Sequence, residues 1–361
     1  MKKALLVGAA ACCVARAASS PAAGPAVVFT DVTRAAGIRF NHVNGAFGKK
    51  YLPETMGSGA AFLDYDGDGW PDIFLVNSRN WPGHPGPRSF PALYRNNHDG
   101  TFSDVTQAAG LALEVYGLGV TAADYDNDGR TDIYLTALGG NHLFHNLGDG
   151  RFADVTVAAG VANGGFSTSA AFFDYDNDGL LDLVSVNGHV YPQLDFAKRG
   201  AAAGYRQRKL LYHNRGDGTF DELGAQAGPV FTEERVSRGL AVGDLDNDGR
   251  LDLVINDLDG APQVLRNQVE GAGHWLLVHL RGRGQMTDAI GAVVTVQAGP
   301  LRQMRNVRSG TSYLSQDDMR QHFGLGKAAQ ADAVLVLWPD GTKTKLENVK
   351  ADQVLEVRQP E

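Results

Sequence analysis

Asp64-Tyr65-Asp66-Gly67-Asp68-Gly69-Trp70-Pro71-Asp72 is the stretch on which the reading of this chain turns. It places carboxylates at positions 1, 3, 5 and 9 and a glycine at position 6. The pattern returns at residues 124–132, 174–182 and 244–252. Four carboxylates in so short a span repel one another near neutral pH, and a cation among them removes the penalty. Calcium, which takes six to eight hard oxygen ligands in flexible geometry, suits such a set better than magnesium, which keeps more water and stricter octahedra.

The candidate ligands follow position by position. They are Asp64, Asp66, Asp68, the Trp70 carbonyl and Asp72; Asp124, Asp126, Asp128, the Arg130 carbonyl and Asp132; Asp174, Asp176, Asp178, the Leu180 carbonyl and Asp182; and Asp244, Asp246, Asp248, the Arg250 carbonyl and Asp252. The expectation is about four calcium ions per chain. A glycine at position 6 permits the sharp bend, and position 4 (Gly67, Asn127, Asn177, Asn247) suits a left-handed residue. A helical calcium loop would need glutamate at position 12, where the chain has Leu75, Leu135, Ser185 and Ile255. The loops therefore belong to a β setting.

Working outward, each loop is flanked by short apolar runs. Ala60-Ala61-Phe62-Leu63 precedes the first and Ile73-Phe74-Leu75-Val76 follows it. Runs of this length, bounded by Gly, Asp and Asn, read as buried strands. A second element follows every loop: Leu93-Tyr94-Arg95-Asn96, Leu143-Phe144-His145-Asn146, Leu211-Tyr212-His213-Asn214 and Val264-Leu265-Arg266-Asn267. A third follows the first three loops, at Asp99-Gly100-Thr101-Phe102, Asp149-Gly150-Arg151-Phe152 and Asp217-Gly218-Thr219-Phe220. Each repeat thus reads as four strands, and four-stranded repeats predict an all-β fold of propeller blades. The last repeat lacks its fourth strand, while Phe29-Thr30-Asp31-Val32-Thr33 copies the fourth strands at Phe102 and Phe152. The expectation is a four-repeat ring closed by that N-terminal strand, spanning 27–269.

Past residue 273 the pattern changes. Further strand-like runs and the turn Trp338-Pro339-Asp340-Gly341 predict a separate small β domain over 274–358. At the other end, Lys2 and Lys3, the apolar run 4–15 and Ala15-Arg16-Ala17 predict an export signal over 1–17. Ala9-Ala10-Ala11-Cys12 offers a second processing route, in which a lipidated Cys12 anchors the chain to a membrane. Both cysteines lie in this segment, so no disulfide is expected in the mature protein. No later stretch is long and apolar enough to span a bilayer. The net charge of −8 argues against a nucleic-acid partner.

The repeats resemble FG-GAP/VCBS repeats of integrin-type propellers. Asp288-Ala289-Ile290-Gly291-Ala292, Ser309-Gly310-Thr311-Ser312-Tyr313-Leu314-Ser315-Gln316, His322-Phe323-Gly324-Leu325-Gly326 and Trp338-Pro339-Asp340-Gly341 resemble the ASPIC/UnbV domain. The combination is similar to the cartilage acidic protein family. The resemblance implies an extracellular calcium-binding propeller with an interaction role.

Two connections between second and third strands are long, 77–91 and 187–209. Long loops bearing aromatics and arginines suit an interface. Trp81, His84, Arg88, Tyr191, Arg199, Tyr205 and Arg206 are the candidate partner-binding residues, for a protein or glycan at the cell surface. The chain shows no nucleophile elbow and no histidine–zinc motif. Binding is therefore expected rather than catalysis. A calcium-dependent lectin, using Trp70 and Trp81, is the rival reading, and a hydrolase of a surface polymer is a third.

Overall fold

A computed structural model describes residues 30–84, 86–191, 204–258, 260–284 and 288–361. The expected export signal, Cys12 and Arg199 lie outside the described residues, as does most of the basic part of the second long loop.

The described chain is almost wholly β. The first sheet runs β1 (Ala60–Leu63), β2 (Asp72–Leu75), β3 (Ala92–Asn96) and β4 (Phe102–Asp104), in that order and antiparallel throughout. The second repeats it with β5 (Tyr116–Ala123), β6 (Asp132–Leu138), β7 (His142–Asn146) and β8 (Phe152–Asp154). The third has β9 (Ser167–Phe173) and β10 (Asp182–Asn187), then, beyond the two-residue strand β11 (Gln207–Arg208), β12 (Leu210–Asn214) and β13 (Phe220–Glu222). β11 pairs with β14 (Glu234–Arg235). The fourth sheet has three strands, β15 (Ser237–Gly243), β16 (Asp252–Asp257) and β17 (Gln263–Leu265). Every acidic loop joins the first and second strands of its sheet, as its apolar flanks predict.

Buried side chains join the sheets face to face. Phe74 and Val76 of sheet one meet Ile133, Leu135 and Phe144 of sheet two. Tyr134 and Leu143 meet Leu183 and Tyr212 of sheet three, and Val184 and Val186 meet Leu240 and Ile255 of sheet four. Tandem repeats of this kind bury little apolar surface alone and a continuous core when stacked.

The expected closure by an N-terminal strand is corrected. Among the described residues, Thr30–Thr33 form no strand and sheet four has three strands. Asp31 instead opens a tight turn in which Ala36 N–H donates to Val32 O at 2.7 Å, and the Ala36 carbonyl accepts from Phe102 N–H at 2.8 Å. The same bond recurs from Phe152 to Ala109 at 2.9 Å and from Phe220 to Ala159 at 2.8 Å. The sequence likeness was to this inter-repeat turn, which stays bound to the neighbouring sheet.

The C-terminal domain is a two-sheet sandwich. One sheet is β18 (His274–Arg281) between β21 (Gln321–Gly326) and β24 (Gln353–Arg358), the last pairing parallel. The other orders β20 (Leu301–Asn306), β19 (Val293–Ala298), β22 (Gln330–Leu337) and β23 (Lys343–Lys350). Leu276, Val278, Val294, Phe323, Val336 and Trp338 fill the space between them.

This domain lies across the first strands of the repeats. Arg308 donates to Ala122 O on β5 at 2.9 Å. Ser315 Oγ accepts from Leu240 N–H at 3.1 Å, and Asp317 from Val242 N–H at 2.8 Å, both on β15. Asp318 N–H returns a bond to Val242 O at 2.9 Å. First strands offer an open row of backbone donors and acceptors, and covering that edge blocks unwanted pairing. The Ser309–Gln316 motif is therefore a docking segment.

Candidate metal centres

The acidic loops share one frame. Position 1 accepts from the glycine at position 6: Gly69 to Asp64 at 2.9 Å, Gly129 to Asp124 at 3.0 Å, Gly179 to Asp174 at 2.9 Å and Gly249 to Asp244 at 2.9 Å. These glycines hold φ between +84° and +93°, where a side chain is strained. Position 4 is left-handed in all four loops, as expected, with φ +73° at Gly67 and 59°, 61° and 57° at Asn127, Asn177 and Asn247. Position 5 accepts from the N–H of position 7, Trp70, Arg130, Leu180 or Arg250, at 2.7 to 3.0 Å.

Position 9 does more than the spacing suggests. Asp72, Asp132, Asp182 and Asp252 are buried. Each spends one oxygen on the N–H of position 2 and the other on the N–H of the asparagine that ends the third strand or, as Asn267, lies just past it. For Asp132 these donors are Tyr125 at 3.2 Å and Asn146 at 2.7 Å. The asparagine then clasps the preceding repeat: Asn146 Nδ2 donates to Tyr65 O at 2.7 Å, Asn214 to Tyr125 O at 2.8 Å and Asn267 to Tyr175 O at 2.7 Å. Asn96 has no earlier acidic loop to reach and bonds Pro71 O within its own repeat.

Oxygens of Asp64, Asp66 and Asp72, of Asp124, Asp126 and Asp128, and of Asp174, Asp176 and Asp178 lie, set by set, within 4.8 Å of one another. Burial, reinforced by neighbouring carboxylates, pushes Asp124 up to about 7 and Asp174 well above the carboxylate range. Burial likewise raises Asp72, Asp132 and Asp178 to about 6. The Oδ1 atoms of buried Asp124 and Asp174 have no hydrogen-bond partner. Orphaned, desolvated carboxylate oxygens facing a cluster of like charge are what a hard divalent cation relieves. The residues fit such an ion.

Sequence reasoning missed a basic partner of the acidic loop in the second, third and fourth repeats, one residue before the clasping asparagine. His145 Nδ1 stands 3.3 Å from Asp132 and 3.4 Å from Asp126. His213 Nδ1 stands 3.2 Å from Asp182, whose hydrogen bond raises it to about 8. In the fourth repeat Arg266 pairs with Asp246, and Arg250 with Asp248. The signal was present as Arg, His, His and Arg at one position of the second repeated element, but a single basic residue in an otherwise apolar motif carries no meaning until its neighbour is known.

The partner-binding candidates divide. Trp81, His84 and Tyr191 come together with Phe47 and Tyr51. His84 stacks on Phe47 at 3.5 Å between centroids, and Tyr51 meets Trp81 at 5.4 Å and Tyr191 at 6.2 Å. Trp81 Nε1 donates to Glu54 at 3.1 Å. Arg88 sits apart, 3.4 Å from Glu114. Tyr205 and Arg206 line a separate small cleft with Arg235 and Asp257.

Stacked repeats of three or four strands with acidic loops and a C-terminal sandwich define the class. The chain is a protein of FG-GAP-like repeats, matched over 64–135, 128–185 and 201–255, with an ASPIC and UnbV domain over 282–361. It is 30% identical to human cartilage acidic protein 1 over 275 residues, covering 74% of this chain and 40% of that protein. The Xenopus tropicalis protein of the same name is 30% identical over 256 residues, 69% of this chain and 38% of the relative. The chain thus spans less than half the length of these curated relatives. A solved rhamnogalacturonan lyase, YesW, aligns over 81% of this chain and 58% of its own at 15% identity and a TM-score of 0.34, too distant to bear on function.

Proposed function

We propose that this chain is an exported, calcium-binding repeat protein of β-propeller type that acts as an interaction module outside the cytoplasm, rather than as an enzyme. The observation that carries the calcium reading is the pair of orphaned buried oxygens, on Asp124 and Asp174, each within a set of three carboxylates whose oxygens converge. When bound, the ion supplies positive charge that cancels the loop repulsion and so stiffens the repeats. The chain's likeness to cartilage acidic protein 1 supports the interaction role. No helix among the described residues is long and apolar enough to cross a membrane. The partner surface we favour is the aromatic cluster of Tyr51, Trp81, His84 and Tyr191, on the face away from the acidic loops.

A glycan is the second reading, favoured by Trp70. Trp70 is 47% exposed at the first acidic loop and stacks on His98 at 4.8 Å, a pose in which an exposed indole can take a sugar ring. The test is calcium-dependent retention of the mature protein on panels of matrix proteins and glycans. Retention lost in chelator and in Tyr51→Ala/Trp81→Ala supports the protein reading. Retention on glycans lost in Trp70→Ala supports the lectin. Turnover of a panel polymer would overturn both.

A further inference from the structure

The four acidic loops are not equivalent, because the C-terminal domain covers them unequally. The first is open, with Asp66 and Asp68 at the surface. The C-terminal domain stands on the third and the fourth, reaching the fourth through Arg320, which donates to Asp244 O at 3.0 Å, and His322, which donates to Gly249 O at 3.0 Å. Of these two, the third is the one that keeps buried side-chain oxygens without a partner. Gly326 N–H donates to Asn177 O at 2.8 Å, and Gly273 N–H to Asp176 O at 2.8 Å. Asn177 Nδ2 returns a bond to Gly273 O at 3.3 Å. All three bonds join the acidic loop to segments bounding β18 and β21.

The seal over the ion site itself is Gly324. A Cβ built there would fall 1.9 Å from Asp174 Oδ2 and 2.6 Å from the Asn177 carbonyl carbon. Only a residue without a side chain lets β21 close on this carboxylate. Gln303, 1% exposed, holds that backbone in place by donating from Nε2 to Gly324 O at 2.6 Å. Beneath the seal Asp174 is fully buried and Asn177 is 1% exposed, and each keeps an Oδ1 with no partner. Arg305, on β20, lines the same interdomain cavity of about 140 Å³ as Asp124 and Asp174 and is attracted to both.

We propose that the third loop holds an interdomain ion, sealed between the repeats and the C-terminal domain, so that the domain docks tightly only on the loaded loop and the ion leaves only when the domain lifts. The inference rests on the calcium reading above. It follows from reciprocity: if the ion favours the docked state, docking must favour the ion by the same factor. The first loop, outside the seal, exchanges freely.

The test uses the mature full-length protein loaded with calcium and mixed in a stopped-flow instrument with excess fluorescent chelator. One ion per chain is expected to leave at least tenfold more slowly than the rest. Gly324→Ala, at a residue whose φ is not left-handed, is expected to speed that phase at least tenfold or remove it. Asp174→Asn is expected to abolish the slow phase, and Asp66→Asn to remove a fast ion and leave the slow one. A readout without variants is cleavage by subtilisin in the linker 268–273, protected in calcium and rapid in chelator. Release of all bound calcium in one fast phase, or a slow phase unchanged in Gly324→Ala, or equal cleavage in both conditions, overturns the inference and leaves the calcium reading standing. A chain that takes up no calcium overturns that reading and the inference with it.

Discussion

Replacing Asn146 by alanine should cost far more than the same change at Asn96, although both end a third strand with the same motif. Asn146 is fully buried. Its Nδ2 donates to Tyr65 O at 2.7 Å and Thr131 O at 3.1 Å, and its Oδ1 accepts from Gly148 N–H at 2.9 Å. Truncation removes three bonds worth about 1 kcal/mol each net, and strands Tyr65 O, a buried acceptor, at a further cost of about 1–2 kcal/mol. The expected loss is roughly 4 kcal/mol. Asn96 makes a bond to Pro71 O at 3.1 Å and accepts from His98 N–H at 3.0 Å, both exposed to water. Water replaces those partners, and the expected loss is about 1 kcal/mol. Urea unfolding at fixed calcium, followed by tryptophan fluorescence, measures both. Asn214→Ala should behave like Asn146→Ala, since Asn214 reaches Tyr125 O in the same way. If Asn146→Ala lost no more than Asn96→Ala, the clasp between successive repeats would not hold the array together.

Other outcomes follow from the buried charges. In chelator Asp124, 3% exposed and pushed up to about 7 by burial, destabilises the folded state as it ionises. Its folded value lies above its unfolded one, so its contribution is favourable below pH ~4 and is lost as pH rises through about 7. Asp124→Asn should therefore raise the metal-free unfolding free energy at pH 8, by on the order of 4 kcal/mol at most, and with it the melting temperature, yet lower the melting temperature measured in millimolar calcium. Loss of stability in both conditions would refute the cation role of Asp124. His322 has the opposite sign. Burial lowers it to about 4, and its ring N–H donates to Gly249 O at 3.0 Å. Its contribution is complete above pH ~6.5 and falls as pH drops toward 4, by about 2 kcal/mol at pH 5. The stability difference between wild type and His322→Gln should shrink by that amount between pH 7 and pH 5 in calcium; a constant difference would show that the imidazole is not buried at the domain junction.

The acidic loops and their flanking strands were legible because the chemistry is local. Ile73-Phe74-Leu75 can only be buried, and a left-handed Asn127 or Asn177 is legible from its place before Asp and Gly. The strand β23 was not legible, since Lys343-Thr344-Lys345-Leu346-Glu347 carries its charges on an exposed sheet edge. The His322–Gly326 segment read as a family motif, and its glycines hid the strand β21. What it touches was beyond local reading: Gly324 meets Asp174 and His322 meets Gly249, partners set far apart in sequence and brought together by the docking of two domains. The N-terminal segment misled because Asp31-Val32-Thr33 resembles both the end of a strand and the turn that follows it, and the turn is what folds. The double duty of Asp132 was hidden for a related reason, since spacing marks a carboxylate as a ligand and says nothing of the two backbone N–H groups it already holds.

Calcium titration of the chelator-treated mature protein by isothermal calorimetry addresses the account at its root. About four ions per chain are expected, falling to about two in the Asp124→Asn/Asp174→Asn double variant. No heat of binding in wild type, or an unchanged stoichiometry in the double variant, would show that the buried carboxylates of these loops are not there to hold a cation.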